Sequence, residues 1–403
     1  MKKLTLLLCL SLSSVFAFSQ WVQQTSGTTN DLTSVFFTDS DTGYAVGGGQ
    51  IILKTTNGGT NWTVQYSNGP GYMMLASVFL TDPDTGYAVG YYNYMSSGAI
   101  ILKTSNGGTN WTSQSSGTSE LLHSAFFTNA YVGYAVGSSG TILKTSNGGT
   151  NWTAQTSETT NDLYSVYFTD ADTGYAVGVG GTILKTSNGG TNWTAQTSGT
   201  TNVLLSVYFP NADTGYAVGV GGTILKTSNG GTNWSAQTSL TTNSLPSVYF
   251  SDADTGYAVS VYGTILKTTN GGTIWSAQTS GTTNWLSSVY FIDANTGYTV
   301  GDNGTILKTN NGGLTFIEES ESLEPTLSIY PNPANNKITI ADDRKLPEET
   351  IISIFNIKGE NIMNEKFQNQ NMIEMDVSML AKGIYLVKIQ TQEGIEVKKL
   401  VIQ

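Results

Sequence analysis

The sequence predicts an all-β chain in two parts: a seven-bladed β-propeller with four strands per blade, then a small immunoglobulin-like β-sandwich. Three observations predict it. Ile-Leu-Lys-Thr recurs seven times, starting at Ile52, Ile101, Ile142, Ile183, Ile224, Ile265 and Ile306, with a first interval of 49 residues and five of 41. A strict period of this length marks one supersecondary unit copied in series, each copy relying on its neighbours to bury its apolar surface. Every unit holds four short strand-like segments, which is the arithmetic of a propeller blade. After residue 317 the repeat stops and the composition changes.

The unit reads most clearly at 206–239, SVYFPNADTGYAVGVGGTILKTSNGGTNWSAQTS. Its first segment, Ser206-Val207-Tyr208-Phe209, is apolar or aromatic and suits a strand covered on both faces. The GYAVG segment around Tyr216, the TILKTS segment around Leu225 and the NWSAQTS segment around Trp234 follow. The connecting D-x-D-T-G, G-G-T and N-G-G-T turns contain glycines that permit positive φ. No sustained 3.6-residue apolar period runs through 21–317. The ends of the repeat region indicate closure. Trp21–Ser26 matches a fourth strand with no first three strands before it, so it is expected to complete the blade that begins near Ser288. Leu314-Thr315-Phe316 is a weaker copy that competes for the same place.

Thr104-Ser105-Asn106-Gly107-Gly108-Thr109-Asn110-Trp111 resembles the Asp-box, S/T-x-D-x-G-x-T-W, with Asn in place of Asp. Further copies start at Thr55, Thr145, Thr186, Thr227, Thr268 and Thr309. With GYAVG and ILKT, the pattern over 21–317 resembles the photosystem II stability and assembly factor family of Asp-box (BNR-like) propellers. That resemblance implies the fold. In sialidases and some glycosidases the Asp-box is likewise a structural hairpin and not the active site. The residues agree: Asn106 suits backbone capping, Gly108 a left-handed conformation, and Trp111 a wedge between blades.

Charge and composition exclude several classes. The chain has 403 residues, a formal net charge of −11 and one Cys. Met1–Ser19 carries Lys2 and Lys3, an apolar run from Leu4 to Leu12 and then Ala17-Phe18-Ser19, the pattern of a secretory signal peptide cleaved after Ser19. Cys9 lies within that apolar run, which leaves the expected mature chain without disulfide or thiol chemistry. No other segment is long enough to be a transmembrane helix. Between residues 20 and 317 there is no Arg, seven Lys at one repeat position (Lys54 to Lys308) and fifteen acids, giving −8. Nucleic-acid binding requires clustered cations and is excluded. The repeated lysines are expected to cover inter-blade surface while the ammonium meets a turn carboxylate or water.

Glu318–Glu324 is a short acidic stretch within a linker placed at 318–326. Residues 327–403 then carry strand-like runs at 327–330, 337–340, 351–356, 372–377, 384–389 and 397–402. Tyr330-Pro331-Asn332-Pro333, Gly359, Asp376 with Leu380, Gly383-Ile384-Tyr385 and Lys398-Lys399 resemble the C-terminal sorting domain of type IX secretion cargo in Bacteroidota. The resemblance implies handling by the type IX machinery, export across both membranes, and surface anchoring or release.

Catalysis finds little support in the residue types. A sialidase site needs arginines to clamp a carboxylate, and the one Arg, Arg344, lies in the tail. His123 is the single histidine, which excludes histidine triads and multi-histidine metal sites. Paired carboxylates remain open for glycoside hydrolysis, with Asp31, Glu120, Glu158 and Asp162 in loops before first strands. The D-x-D-T-G turns admit a calcium reading, but only their Gly persists in all seven copies, which points to Asx capping. No cofactor or metal is expected.

Departures from the repeat say more about function. Both fall on the face where the second-to-third turns and the inter-blade links emerge. Unit two inserts Tyr91-Tyr92-Asn93-Tyr94-Met95-Ser96, and the link before it is lengthened as Ser67–Met74, including Tyr72, Met73 and Met74. Other links place Leu121, His123, Tyr164, Leu204 and Trp285 at matching depths. An aromatic and Met cluster on one face indicates a binding surface lying in loops outside the strands, though the same residues could plug the channel mouth. The expectation is a secreted, surface-displayed, non-enzymatic propeller that binds a protein or glycan through this face. A glycosidase using loop carboxylates is the alternative. A photosystem assembly role follows from the family resemblance alone.

Overall fold

The structure, a computed structural model, describes residues 20–68, 73–92, 98–313, 327–342, 349–356, 361–368, 370, 372–391 and 395–403. The chain divides into two compact units, one within 1–316 and one within 317–403. In the first unit seven four-stranded antiparallel sheets follow one another as meanders. Blade one is Leu32–Phe37, Thr42–Gly47, Ile52–Thr56 and Thr63–Tyr66; blade four is Leu163–Phe168, Thr173–Gly178, Ile183–Ser187 and Thr194–Gln196. Blade seven takes its first three strands from Leu286–Phe291, Gly297–Gly301 and Thr305–Thr309 and its outermost strand from Val22–Gln24. The register pairs Val22 with Lys308 and Gln24 with Ile306. The competing segment 314–317 lies outside the described residues, as do the expected signal peptide and the linker.

Side-chain chemistry closes the blades into a ring. In every blade a Ser of the innermost strand accepts a hydrogen bond from a backbone N–H in the next blade. Val78 donates to Ser34 Oγ at 3.2 Å, and the last link is Val35 to Ser288 Oγ at 3.4 Å. The apolar cores sit between blades. One cluster joins Leu32, Phe37, Leu53 and Trp62 of blade one to Tyr298, Val300 and Ile306 of blade seven. Each blade therefore buries its faces only when both neighbours are present.

The Asp-box turn does the same work at the other face. In blade two, Asn106 Oδ1 accepts from Thr104 Oγ1 (3.1 Å) and from the Asn110 N–H (2.9 Å). Gly107 and Gly108 hold φ of 62° and 82°, and a Cβ on Gly108 would sit 2.8 Å from the Tyr44 ring. The Gly107 carbonyl accepts from Tyr44 OH at 2.9 Å and from Lys54 Nζ at 2.6 Å, both belonging to blade one. The expected partner of the repeated lysine was a carboxylate or water. It is instead a turn carbonyl of the next blade, with the ammonium also 5.5 Å from the Tyr44 ring centroid. The Asp-box turn places this carbonyl within reach of both side chains, and the ammonium makes a charge-assisted hydrogen bond to it.

The outer edges are guarded locally. Gln155 Nε2 folds back to within hydrogen-bond distance of the Thr153 and Ala154 carbonyls, and Gln237 does the same to Ser235 and Ala236. Occupying these carbonyls and keeping the strands to three residues blunts an edge that could recruit another chain.

The second unit is a sandwich of a three-stranded sheet (Leu327–Tyr330, Lys337–Asp342, Met372–Asp376) and a four-stranded sheet ordered Asn361–Gln368, Glu349–Asn356, Gly383–Thr391, Ile395–Ile402. The edge strand Asn361–Gln368 is absent from the strand-like runs of the sequence because it buries little and shows no clean alternation. Ile338, Ile340, Ile352, Ile354, Val387 and Leu400 form the core between the sheets.

Candidate functional site

The second-to-third turns and the inter-blade links share one face, as expected: the Gly49 N–H donates to Met73 O, and the Asn68 N–H to Gly49 O. The opposite face carries the D-x-D-T-G and Asp-box turns, where the Gly58 N–H donates to Asp41 O. Asp39 Oδ1 accepts from the Asp41 and Thr42 N–H groups at 2.8 and 2.7 Å, an Asx turn. Asn129 and Asn211 make the same bonds in blades three and five. Burial alone would push the Asp39 carboxyl up, but these two backbone bonds hold it below the ordinary aspartate value.

On the loop-insert face the structure gathers part of the expected set. Met73 and Met74 open the first strand of blade two, Met73–Leu80, opposite Tyr92 and Tyr91 in Gly86–Tyr92. The insertion therefore lengthens a hairpin, so these four residues lie in strands and not in loops outside them. Backbone pairing across the two extended strands is what holds them. Tyr91 OH lies 3.5 Å from Met74 Sδ, and Gln50 Nε2 lies 3.2 Å from Met73 Sδ. The His123 ring stands edge-on to Tyr91 at 5.5 Å and tilted against Tyr164 at 4.9 Å, a three-ring cluster across blades two, three and four. His123 Nε2 is 3.3 Å from Ser138 Oγ. Burial lowers the His123 pKa, opposed by the nearby Asp162 carboxylate. Tyr72, Tyr94 and Met95 lie outside the described residues.

The expected matching depths do not hold. His123 and Tyr164 follow a buried Leu of their strand (Leu122, Leu163), while Leu121 and Trp285 precede it and Leu204 is itself that buried Leu. His123 and Tyr164 therefore lie within the strands Leu122–Phe127 and Leu163–Phe168, whereas Trp285 lies in the link before Leu286–Phe291. Trp285 is accordingly 55% exposed, and the ring contacts joining Tyr91, His123 and Tyr164 do not include it.

Two features escaped sequence reading. The innermost strands are not covered on both faces. Their alternate residues Phe36, Phe79, Phe126, Tyr167, Tyr208, Tyr249 and Tyr290 form a closed belt of tilted rings with centroids 4.8 to 5.2 Å apart. Tyr167 and Tyr290 donate their hydroxyls to Phe209 O and Phe37 O. Burial pushes the Tyr167 pKa up to about 12, so its hydroxyl stays a donor. The signal was present as the third residue of every S-[V/A]-[F/Y]-[F/L] run. Second, Leu240 and Tyr262 on the loop-insert face are 75% and 70% exposed, and they hold φ of 59° and 56°. Link positions equivalent to Leu240 are occupied by Gly27, Gly117, Gly199 and Gly281, and in one link by Glu158 at φ 58°.

The carboxylates proposed for hydrolysis are engaged in the scaffold. The Ser139 N–H donates to Asp162 Oδ1 at 2.8 Å and its hydroxyl to Glu120 Oε2 at 3.0 Å. Asp31 Oδ1 accepts from the Asn303 N–H at 2.9 Å across the ring closure. An open groove of about 720 Å³ at blade four and its flanking links includes Glu158 but no second acid in its lining. Among the described residues, no three His, Cys, Asp or Glu side chains gather as a metal site.

Comparison with known proteins now places the chain. The model of the photosynthesis system II assembly factor YCF48 family matches residues 13–160, 114–197, 152–246 and 191–277, overlapping segments that cover well over half the chain. The chain belongs to the YCF48 family. A YCF48 structure from Cyanidioschyzon merolae matches with TM-score 0.60 at 21% identity, over 72% of this chain and 98% of that one. A structure of YCF48 bound to D1 peptide matches with TM-score 0.61 at 18% identity, over 72% and 95%. At these identities the likeness shows the fold alone. No curated protein matches.

Residues 328–403 of this YCF48-family chain match the secretion system C-terminal sorting domain. Its motif residues build the sandwich. Asn332, between two cis prolyl bonds at Pro331 and Pro333, donates to Lys399 O at 2.7 Å and accepts from the Val401 N–H at 2.9 Å, pinning the final strand. Tyr385 is buried with its hydroxyl on Ala381 O, Gly383 pairs with Ile402, and Lys398 makes a 2.7 Å ion pair with Glu396. Asp376 caps the Ser378 N–H, and Leu380 is buried in the core. Gly359 lies outside the described residues. The sorting domain indicates export by type IX secretion, and no described helix is long and apolar enough to cross a membrane.

Proposed function

We propose that this protein is a non-enzymatic propeller, displayed at the cell surface or released, that holds a partner on its loop-insert face. The observation that carries the reading is the Tyr91–His123–Tyr164 cluster, which spans three blades and is built at the one place where the 41-residue repeat is broken. Tyr92, Leu240, Tyr262 and Trp285 expose apolar surface on the same face. Tyr supplies rigid amphipathic contact area, while Met73 and Met74 can adapt to an irregular partner. The related YCF48 bound to D1 peptide offers a precedent for peptide binding by this fold, whereas the sorting domain favours a partner outside the cell over a photosystem protein.

The test is a binding screen with the secreted protein against candidate peptides, proteins and glycans. Replacing Tyr91 and Tyr92 by Ser is expected to weaken the partner found by at least about tenfold, roughly 1.4 kcal/mol. Full binding by that variant, with loss on substituting Asp41 and Asp84 of the opposite face, would place the site elsewhere.

A further inference from the structure

The two faces of the ring differ in charge for a reason the fold makes explicit. All seven repeated lysines direct their Nζ atoms to Asp-box carbonyls: Lys54 to Gly107, Lys103 to Gly148, Lys144 to Gly189, and so on to Lys308 with Gly58. Every lysine ammonium of the ring is thereby committed to the face opposite the loop inserts, where ten turn aspartates outnumber the seven lysines and leave that face only weakly negative. The turns and links of the loop-insert face contain Asp31, Glu120, Glu158, Asp162 and Asp302, and neither Lys nor Arg. His123 adds no compensating charge near neutrality, since burial lowers its pKa.

An independent observation concerns the backbone. Leu240 occupies a left-handed position that four equivalent links give to Gly and one to Glu158, and Tyr262 stands at φ 56° in a turn where other blades hold positive φ at Gly180, Gly221, Gln50, Ser139 and Asn303. A branched or bulky residue there is less favourable than Gly. Burial does not offset it, because both side chains project into solvent. Together with Trp285 and Tyr92 they are separated apolar anchors on an anionic rim, which suits an extended segment better than one compact ligand.

We propose that the loop-insert face recognises an extended basic peptide segment, one that alternates Lys or Arg with apolar side chains, on a protein partner. This rests on the reading of that face as the binding surface. The apolar residues of the segment seat on Leu240, Tyr262, Trp285 and Tyr92. Its cations meet the carboxylates and the faces of Tyr164 and Trp285, where a guanidinium gains from the ring quadrupole. The field of five uncompensated carboxylates also accelerates encounter with cations and repels anionic chains.

The experiment uses the full mature chain and three fluorescent twelve-residue peptides: alternating Arg and Leu, the same with Glu for Arg, and the same with Ser for Arg. The Arg–Leu peptide is expected to bind, losing at least tenfold in affinity between 50 and 300 mM NaCl, while the Glu and Ser peptides do not bind. Converting Asp31, Glu120, Glu158, Asp162 and Asp302 to Asn or Gln should weaken it at least tenfold. The charge-matched control converts Asp41, Asp84, Asp172, Asp213 and Asp254 of the opposite face and should change affinity less than twofold. Equal loss in both sets would mean diffuse attraction to an acidic protein and overturn the proposal. If the Ser or Glu peptide, or a neutral glycan, binds without salt dependence and is lost with Leu240→Gly and Tyr262→Gly, the face is the site but its partner is not basic. If the Arg–Leu peptide binds and only the opposite-face substitutions weaken it, the face itself is wrongly assigned. Matching melting temperatures and circular dichroism of both variant sets keep folding defects out of the comparison.

Discussion

Tyr298 and Gly58 lie 240 positions apart, yet the tyrosine hydroxyl donates to the glycine carbonyl at 2.8 Å. The same bond joins Tyr44 to Gly107 and Tyr134 to Gly189 between consecutive blades. The pair Tyr298–Gly58 is thus an ordinary inter-blade bond that happens to span the closure. Blade seven meets blade one on the same terms as any other neighbours.

Closure predicts a large effect from a small deletion. Removing residues 20–27 takes away the outermost strand of blade seven and Trp21, which is 1% exposed and packs edge-on against Phe291 at 5.7 Å. Trp21→Ala alone should cost about 3–5 kcal/mol in urea unfolding. Tyr298→Phe, losing one hydrogen bond, should cost about 1 kcal/mol. An unchanged midpoint for the deletion would show that this strand does not close the ring.

Acid stability should track the Asx turns. The carboxyls of Asp39, Asp82, Asp170, Asp252 and Asp293 are held below the ordinary value of 3.8 by backbone N–H bonds that outweigh burial. A depressed carboxyl stabilises the fold above its unfolded pKa, and that contribution is lost as pH falls through the folded value. Asn in these five positions, as blades three and five already have, should leave the melting temperature at pH 7 nearly unchanged and reduce its fall between pH 4 and 2. EDTA is expected to leave the melting temperature unchanged, since carboxylates such as that of Asp39 already accept two backbone N–H bonds.

His123 predicts a second pH window. Burial sets its folded pKa below the unfolded value of about 6.5, so the unfolded state binds more protons between the two. Stability is full above pH 6.5 and declines as pH falls toward the folded pKa. His123→Gln should flatten the melting profile from pH 7 to 5. A wild-type profile equally flat over that range would sink the assignment.

The tail should govern transport and leave ring stability alone. In a type IX-competent host, truncation at Glu318 is expected to strand folded propeller in the periplasm, read by fractionation and protease shaving. Asn332→Ala removes both bonds to the final strand and should reduce surface delivery while the ring keeps its melting temperature. Normal display of the truncated chain would contradict the sorting role.

The sequence by itself determined whatever repeats. Blade number, strand number, the capping Asn of each Asp-box and the closing strand at Trp21 were legible because each is a local pattern copied in register, and the sorting motif because it is contiguous. Tertiary structure decided what depends on the rotation of a strand or the arrival of a neighbouring blade. A lysine spacing does not reveal that all seven ammonium groups end on carbonyls of the next blade, stripping cations from the opposite face. Nor does it show that alternate residues of the S-[V/A]-[F/Y]-[F/L] runs meet in one aromatic belt. His123 and Tyr164 touch while Trp285 stands apart, because the first two lie within the innermost strands of adjacent blades and Trp285 lies in the link before its strand. Local spacing sets the blade, but only the closed ring sets which side chains of different blades share a face.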